Sequence, residues 1–125
     1  MKLSENRQIL ICSKIRYEDV ENYFKAKKIR YSWIDETDLT ALEVLIDQEI
    51  ENFKTSSIHE ESCLPILLYE DSCRLAFSLQ QKTQAQLILI NPPVKYVFGN
   101  EIPIIESKDD YHVLLAIKNL IETGT

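Results

Sequence analysis

Glycine is almost missing from this sequence: Gly99 and Gly124 are the only two in 125 residues. A loop that cradles phosphate needs several glycines, because backbone amides must approach the anion without a Cβ in the way. Neither a P-loop nor a dinucleotide fingerprint can be written here. Positive charge is also short, with 14 Lys and Arg against 20 Asp and Glu and a net charge of -6. Contacts to a phosphate backbone need a basic face, so no nucleic-acid partner is expected. The one basic patch, Lys25, Lys27, Lys28 and Arg30, reads as a helix end, where cations meet the negative pole of the dipole. No apolar run approaches a membrane span, and MKLSENRQ lacks a signal-peptide core, which predicts a cytoplasmic protein without a membrane partner. The three cysteines, Cys12, Cys63 and Cys73, cannot all pair with one another and form no Cys-x-x-Cys, so reduced thiols are expected.

What is present suits one globular domain over residues 1–125: 45% of residues are hydrophobic and 27% charged. The chain is organised around residues 64–93, LPILLYEDSCRLAFSLQQKTQAQLILINPP. Pro65 to Tyr69 and Leu87 to Ile90 are short apolar runs without alternation, the pattern of strands buried on both faces of a parallel sheet. Upstream, QILIC (8–12) predicts a first strand. Tyr17 to Lys28 predicts a helix with Val20, Tyr23, Phe24 and Lys27 along one face, and Ile29 to Ile34 an alternating edge strand. Thr37 or Asp38 caps a longer helix whose inward face is Leu42, Leu45, Ile46, Ile50 and Phe53, followed by a loop from Thr55 to Cys63.

Downstream of the central strand, Ser72 opens a helix that carries Leu75, Ala76 and Leu79 inward; a hairpin using Arg74 to Leu79 as a strand is the competing reading. Pro92 and Pro93 stop the fourth strand, since neither can donate to a ladder. Val94 to Asn100 has room for a turn or two of helix, and Ile102 to Ile105 predicts a fifth strand. Ser107 with Asp110 forms a capping box for a last helix carrying Val113, Leu114, Ile117, Leu120 and Ile121, with Gly124 just past its end. The expected fold is therefore α/β: a five-stranded, mainly parallel sheet with helices on both faces and the fourth crossover helix shortened. In such a sheet the functional groups gather where the strands end.

This order of elements resembles a flavodoxin-like receiver domain of two-component signalling. QILICSKIRYEDVENYFKAKKIRYSWIDE has the length of a receiver's first strand, helix and second strand; PILLYED resembles its third strand, and IPIIESKDDYHVLLAIKNLIE its fifth strand and last helix. The resemblance implies an acid pair for magnesium after the first strand, where this chain has Cys12 and Ser13. It implies a phosphorylated aspartate at the end of the third strand, where Asp71 or Glu70 stands, with Tyr69 equally close by strand length. Asn91 replaces the serine or threonine ending the fourth strand, and Lys108 falls a residue or more late for the expected lysine. Phosphoryl transfer to a carboxylate needs a divalent ion to offset charge. Without the acid pair, Asp71, Asn91 and Lys108 become the remnant of a phospho-site.

The resemblance then implies a pseudo-receiver, a non-catalytic interaction module of signalling type that uses no cofactor and no metal. Its partner is another protein, and a homodimer is compatible with it. Receivers commonly dock through the surface around the fourth helix and fifth strand, which here carries Val94, Tyr96, Val97 and Phe98. The plainer use of Tyr96 and Phe98 is to cover a sheet edge left bare by the short helix.

Two other stretches resemble known families. DSCRLAFSLQQKTQAQLILINPPVKYVF is similar to the second half of an anti-sigma-factor antagonist, which implies a phosphorylation switch at Ser72, although the first 60 residues depart from that pattern. Leu64-Pro65 before an apolar strand resembles a glutaredoxin-type thioredoxin fold, without its active-site cysteine pair. With the first and third strands as neighbours, Cys12 and Cys73 approach each other at the carboxyl edge, a candidate redox pair if level; buried free cysteines are the commoner outcome. His59, Glu60, Glu61 and Cys63 lack metal-ligand spacing and read as a solvated loop. His112 reads as a surface or boundary residue, and Asp35, Glu36 and Asp38 as acids that favour a helix start.

Overall fold

The computed structural model describes residues 8–56, 64–81, 85–93 and 102–122. Its elements run β1 (Gln8–Cys12), α1 (Glu18–Ala26), β2 (Arg30–Ile34), α2 (Leu39–Ser56), β3 (Leu64–Tyr69), a 3₁₀ segment (Glu70–Leu75), α3 (Ala76–Leu79), β4 (Ala85–Ile90), β5 (Ile104–Ile105) and α4 (Asp110–Glu122). The five strands form one sheet in the order β2-β1-β3-β4-β5, and every pairing is parallel. This is a flavodoxin-like α/β fold, with the strand order reversing between β1 and β3. Pro65 lies opposite Gln86 in the β3–β4 register, one residue before the β1–β3 register starts at Leu10 and Ile66.

The apolar runs are continuous because both faces of the sheet are covered. On one face Leu10, Cys12, Ile66, Leu68 and Leu89 pack against Leu42, Ile46, Ile50 and Phe53 of α2 and Leu75, Ala76 and Leu79 beyond β3. On the other, Ile9, Ile11, Leu67, Tyr69, Ile88 and Ile90 meet Val20, Tyr23 and Phe24 of α1 and Val113, Ile117 and Ile121 of α4. All six residues of β3 are buried.

Helix α1 ends in a Schellman motif. Lys28 takes a left-handed φ of 58°, its N–H donates to the Lys25 carbonyl, and the Ile29 N–H reaches back to Phe24 at 2.9 Å. The basic residues at this end are thus part of a helix stop, and Lys27 pairs with Glu122 at 3.5 Å.

Arg74 to Leu79 is helical, as expected, and not the strand of the competing hairpin, and the all-parallel 2-1-3-4-5 sheet is not the mixed sheet of a thioredoxin fold. Elsewhere the structure departs from sequence expectation. The Ser72 hydroxyl caps no helix and turns inward instead. Leu45 is exposed: at about 100° per residue it lies at the margin of the arc set by Leu42, Ile46, Ile50 and Phe53. Asp38 is the α2 cap, accepting from the Thr40 N–H at 3.0 Å. Asp109, not Ser107, caps α4, accepting from the Tyr111 N–H at 2.9 Å; Ser107 closes the preceding turn onto the Asp109 N–H. Helix α2 runs to Ser56, into the expected loop. The expected turn over Val94 to Asn100, and with it the shortened fourth crossover, lies outside the described residues, as do His59, Glu60, Glu61, Cys63 and Gly124. Among the described residues no helix is long and apolar enough to cross a membrane.

Candidate functional site

The parallel sheet brings the loops after β1, β2, β3, β4 and β5 to one edge, and the reversal of strand order opens a crevice there. Two groups of residues meet at this edge, one on each side of Tyr69.

On the α2 side the polar atoms are tied to the frame. Ser72, 8% exposed, places its hydroxyl 2.6 Å from the Tyr69 carbonyl oxygen and 3.1 Å from that of Cys12, joining the tips of β3 and β1. The Ser13 hydroxyl donates to the Ile15 carbonyl at 2.8 Å and accepts the Ile15 N–H, which folds the β1–α1 loop on itself. Trp33 Nε1 donates to the Ser13 carbonyl at 3.1 Å. The crevice left beside Ser13, Lys14, Glu36, Thr37, Glu70, Asp71 and Ser72 has a volume of only about 70 Å³, below the usual size of a small-molecule site.

On the α1/α4 side the site is aromatic. The Tyr17 and Tyr69 rings stack with centroids 5.0 Å apart, Tyr17 tilts against Trp33 at 6.4 Å, and the Arg16 guanidinium lies 5.7 Å from the Trp33 centroid. Tyr69 is 5% exposed and its hydroxyl has no hydrogen-bond partner. Burial, with smaller contributions from Tyr17 and Asp110, pushes its ionisation far above the ordinary phenol range. Beside it lies a cavity of about 340 Å³ lined by Ile15 to Val20, Tyr69, Asn91, Asp110 and Val113.

The turns at the tips of β3 and β4 share an unusual backbone. Tyr69 and Ile90 are register partners, and the residues that follow them, Glu70 and Asn91, take left-handed φ values of 52° and 51°. Asn91 suits that region; glutamate does not, and the conformation costs it about 1 kcal/mol. Asn91 Oδ1 accepts the Ser107 N–H at 2.8 Å, and the Asn91 N–H donates to the Ile105 carbonyl, so this side chain binds the tip of β4 to the chain leaving β5.

The residues singled out from sequence fall as follows. Glu70 and Asp71 are exposed at the tip of β3, with Arg74 3.7 Å from Asp71. Lys108 is exposed between β5 and α4. Cys12 and Cys73 are free and buried, and burial raises both thiols to about 12. The Cys73 thiol donates to the Leu68 carbonyl at 3.1 Å. His112 is exposed beside Asp109 at 3.3 Å. Val94, Tyr96, Val97 and Phe98 lie outside the described residues. The residues present do not fit a receiver's magnesium: Cys12 and Ser13 offer no carboxylate at the tip of β1, and no group of three or more metal-ligating side chains occurs among the described residues.

The pairing of Tyr17 with Tyr69 emerges only from the structure. Its signal in the sequence is the tyrosine closing an otherwise aliphatic strand, PILLY, because a buried phenol has a hydroxyl to satisfy. No family model, curated protein or solved structure matches the chain.

Proposed function

We propose that this chain is a cytoplasmic pseudo-receiver, a non-catalytic signalling-type module that acts by binding another protein. One observation supports this reading above the rest. The 2-1-3-4-5 parallel frame is intact, while the tip of β1, where a receiver would hold its divalent ion, is Cys12–Ser13 with Ser13 consumed in internal hydrogen bonds. A carboxylate at Glu70 or Asp71 then has nothing beside it to offset the charge of an incoming phosphoryl group. The antagonist reading draws less support, because a kinase cannot reach a Ser72 hydroxyl that is buried against two carbonyls.

The docking surface proposed is the segment bearing Val94, Tyr96, Val97 and Phe98, which follows β4 in the sequence. Two measurements test the proposal. Incubation with magnesium and acetyl phosphate leaves the intact mass unchanged; an acid-labile phosphate on Asp71 or Glu70 overturns the pseudo-receiver reading. The immobilised chain retains a protein from lysate of its source cells, and Tyr96→Ala with Phe98→Ala releases it. Retention of the same partner by the double variant moves docking elsewhere. A dimer seen by sedimentation, lost in that variant, identifies the partner as a second copy.

A further inference from the structure

The 340 Å³ cavity between the β1–α1 loop and the start of α4 holds the strongest unanswered chemistry in the molecule. Among the described residues, the Tyr23 and Tyr69 hydroxyls are the buried side-chain polar atoms without a partner. Tyr23 lies away from the cavity, under the Lys118 ammonium at 5.2 Å; Tyr69 lines it. Leaving a buried hydroxyl unpaired is unfavourable, and phenylalanine would pack the same space without that cost. The oxygen therefore points to something that completes it.

The surroundings indicate what that something is. The cavity wall carries three carboxylates, Glu18, Asp19 and Asp110, against one cation, Arg16. That guanidinium is already turned to Glu21 at 3.4 Å and to the Trp33 ring. The N-termini of α1 and α4 both open here, but Glu18, Asp19 and Glu21 in the first turn of α1 and Asp110 in that of α4 offset their positive poles, which removes the attraction for an anion. Two stacked tyrosine rings add faces that attract cations. The Tyr17 ring covers Tyr69 from the loop, at the N-cap of α1, so an entering group reaches the hydroxyl by parting this stack.

We infer that the cavity lined by Tyr17, Tyr69, Asn91 and Asp110 binds a small organic ammonium compound, its N–H groups donating to the Tyr69 hydroxyl and the Asp110 carboxylate. This goes beyond the protein-docking reading and does not rest on it, since the two sites share no residue and each can fail alone.

The test uses three probes of one shape and different charge: n-butylammonium, butanol and butyrate, titrated at constant ionic strength into the isotopically labelled chain. The expected result is saturable movement of the amide resonances of residues 16–20, 91 and 110–113 with n-butylammonium alone. Tyr69→Phe, which keeps the ring stack, weakens that binding roughly five-fold or more, the loss of one hydrogen bond. Asp110→Asn, an exposed substitution that leaves the fold intact, also weakens it. No saturable movement with any probe, equal response to butanol or butyrate, or unchanged affinity in both variants overturns the inference.

Discussion

Ser72 and Tyr69 stand three residues apart at the tip of the same strand, are buried to the same degree, and meet opposite fates. The serine hydroxyl, on the α2 side, finds two carbonyls; the tyrosine hydroxyl, on the α1/α4 side, finds none. One side of the carboxyl edge is thus a closed hydrogen-bonded frame around a crevice of about 70 Å³, and the other an aromatic wall around about 340 Å³. The bracing hydrogen bonds lie on one side of a single strand and the larger cavity on the other. A polar group that braces the fold is spent, whereas one that does not is available to a ligand.

The largest effects test whether both sides of β3 are equally core. Ile66→Ala strips the α2 face and Leu67→Ala the α1/α4 face. Each is expected to lower unfolding free energy in urea by about 2–5 kcal/mol; a cheap loss on either face breaks the two-layer description. Next comes Ser72→Ala. It removes the hydroxyl shared by the Cys12 and Tyr69 carbonyls and should cost about 1–3 kcal/mol. Ser72→Asp should cost more, because a carboxylate would face two carbonyl oxygens. Wild-type stability in the aspartate variant would revive a phosphorylation switch.

Alkaline pH acts on the α2 face, where both buried thiols pack. Cys12 and Cys73 rise from 9.0 to about 12 in the folded state. Between those values the unfolded chain has released protons that the native one retains, so stability is full below pH 9 and falls as pH rises toward 12. At about one pH unit above the unfolded value each thiol accounts for about 1.4 kcal/mol. Urea midpoints between pH 8 and pH 10.5 should decline, and the decline should shrink in Cys73→Ala. A flat profile would mean that the thiols are reachable by water. The same burial predicts that a disulfide reagent labels native Cys12 and Cys73 far more slowly than the unfolded chain.

The parallel sheet and its two core faces were legible in the sequence because strands buried on two sides leave uninterrupted apolar runs, as in PILLY and LILI. Helix α2 was legible by its spacing except at Leu45, where an apolar side chain at the rim of the buried arc looks identical to one inside it. After β3 the inward Leu75, Ala76 and Leu79 were legible as well, whereas QQKTQAQ has no periodicity and the helical part closes at Leu79. The site was harder still. Asp71, Asn91 and Lys108 drew attention through a family pattern, yet the cavity is built by Tyr17, Tyr69 and Asp110, which meet only after α1 and α4 pack on the same face. Asp110 had an ordinary explanation as the capping-box partner of Ser107, and nothing local distinguishes an orphaned tyrosine from a satisfied one.

The most direct measurement is the urea-unfolding free energy of Tyr69→Phe in buffer free of amines. An orphan hydroxyl contributes nothing to the fold, so the variant should equal wild type or exceed it by up to about 1 kcal/mol. A loss of about 1 kcal/mol or more would mean that the hydroxyl already has a partner within the native protein, and the contrast with Ser72 would disappear.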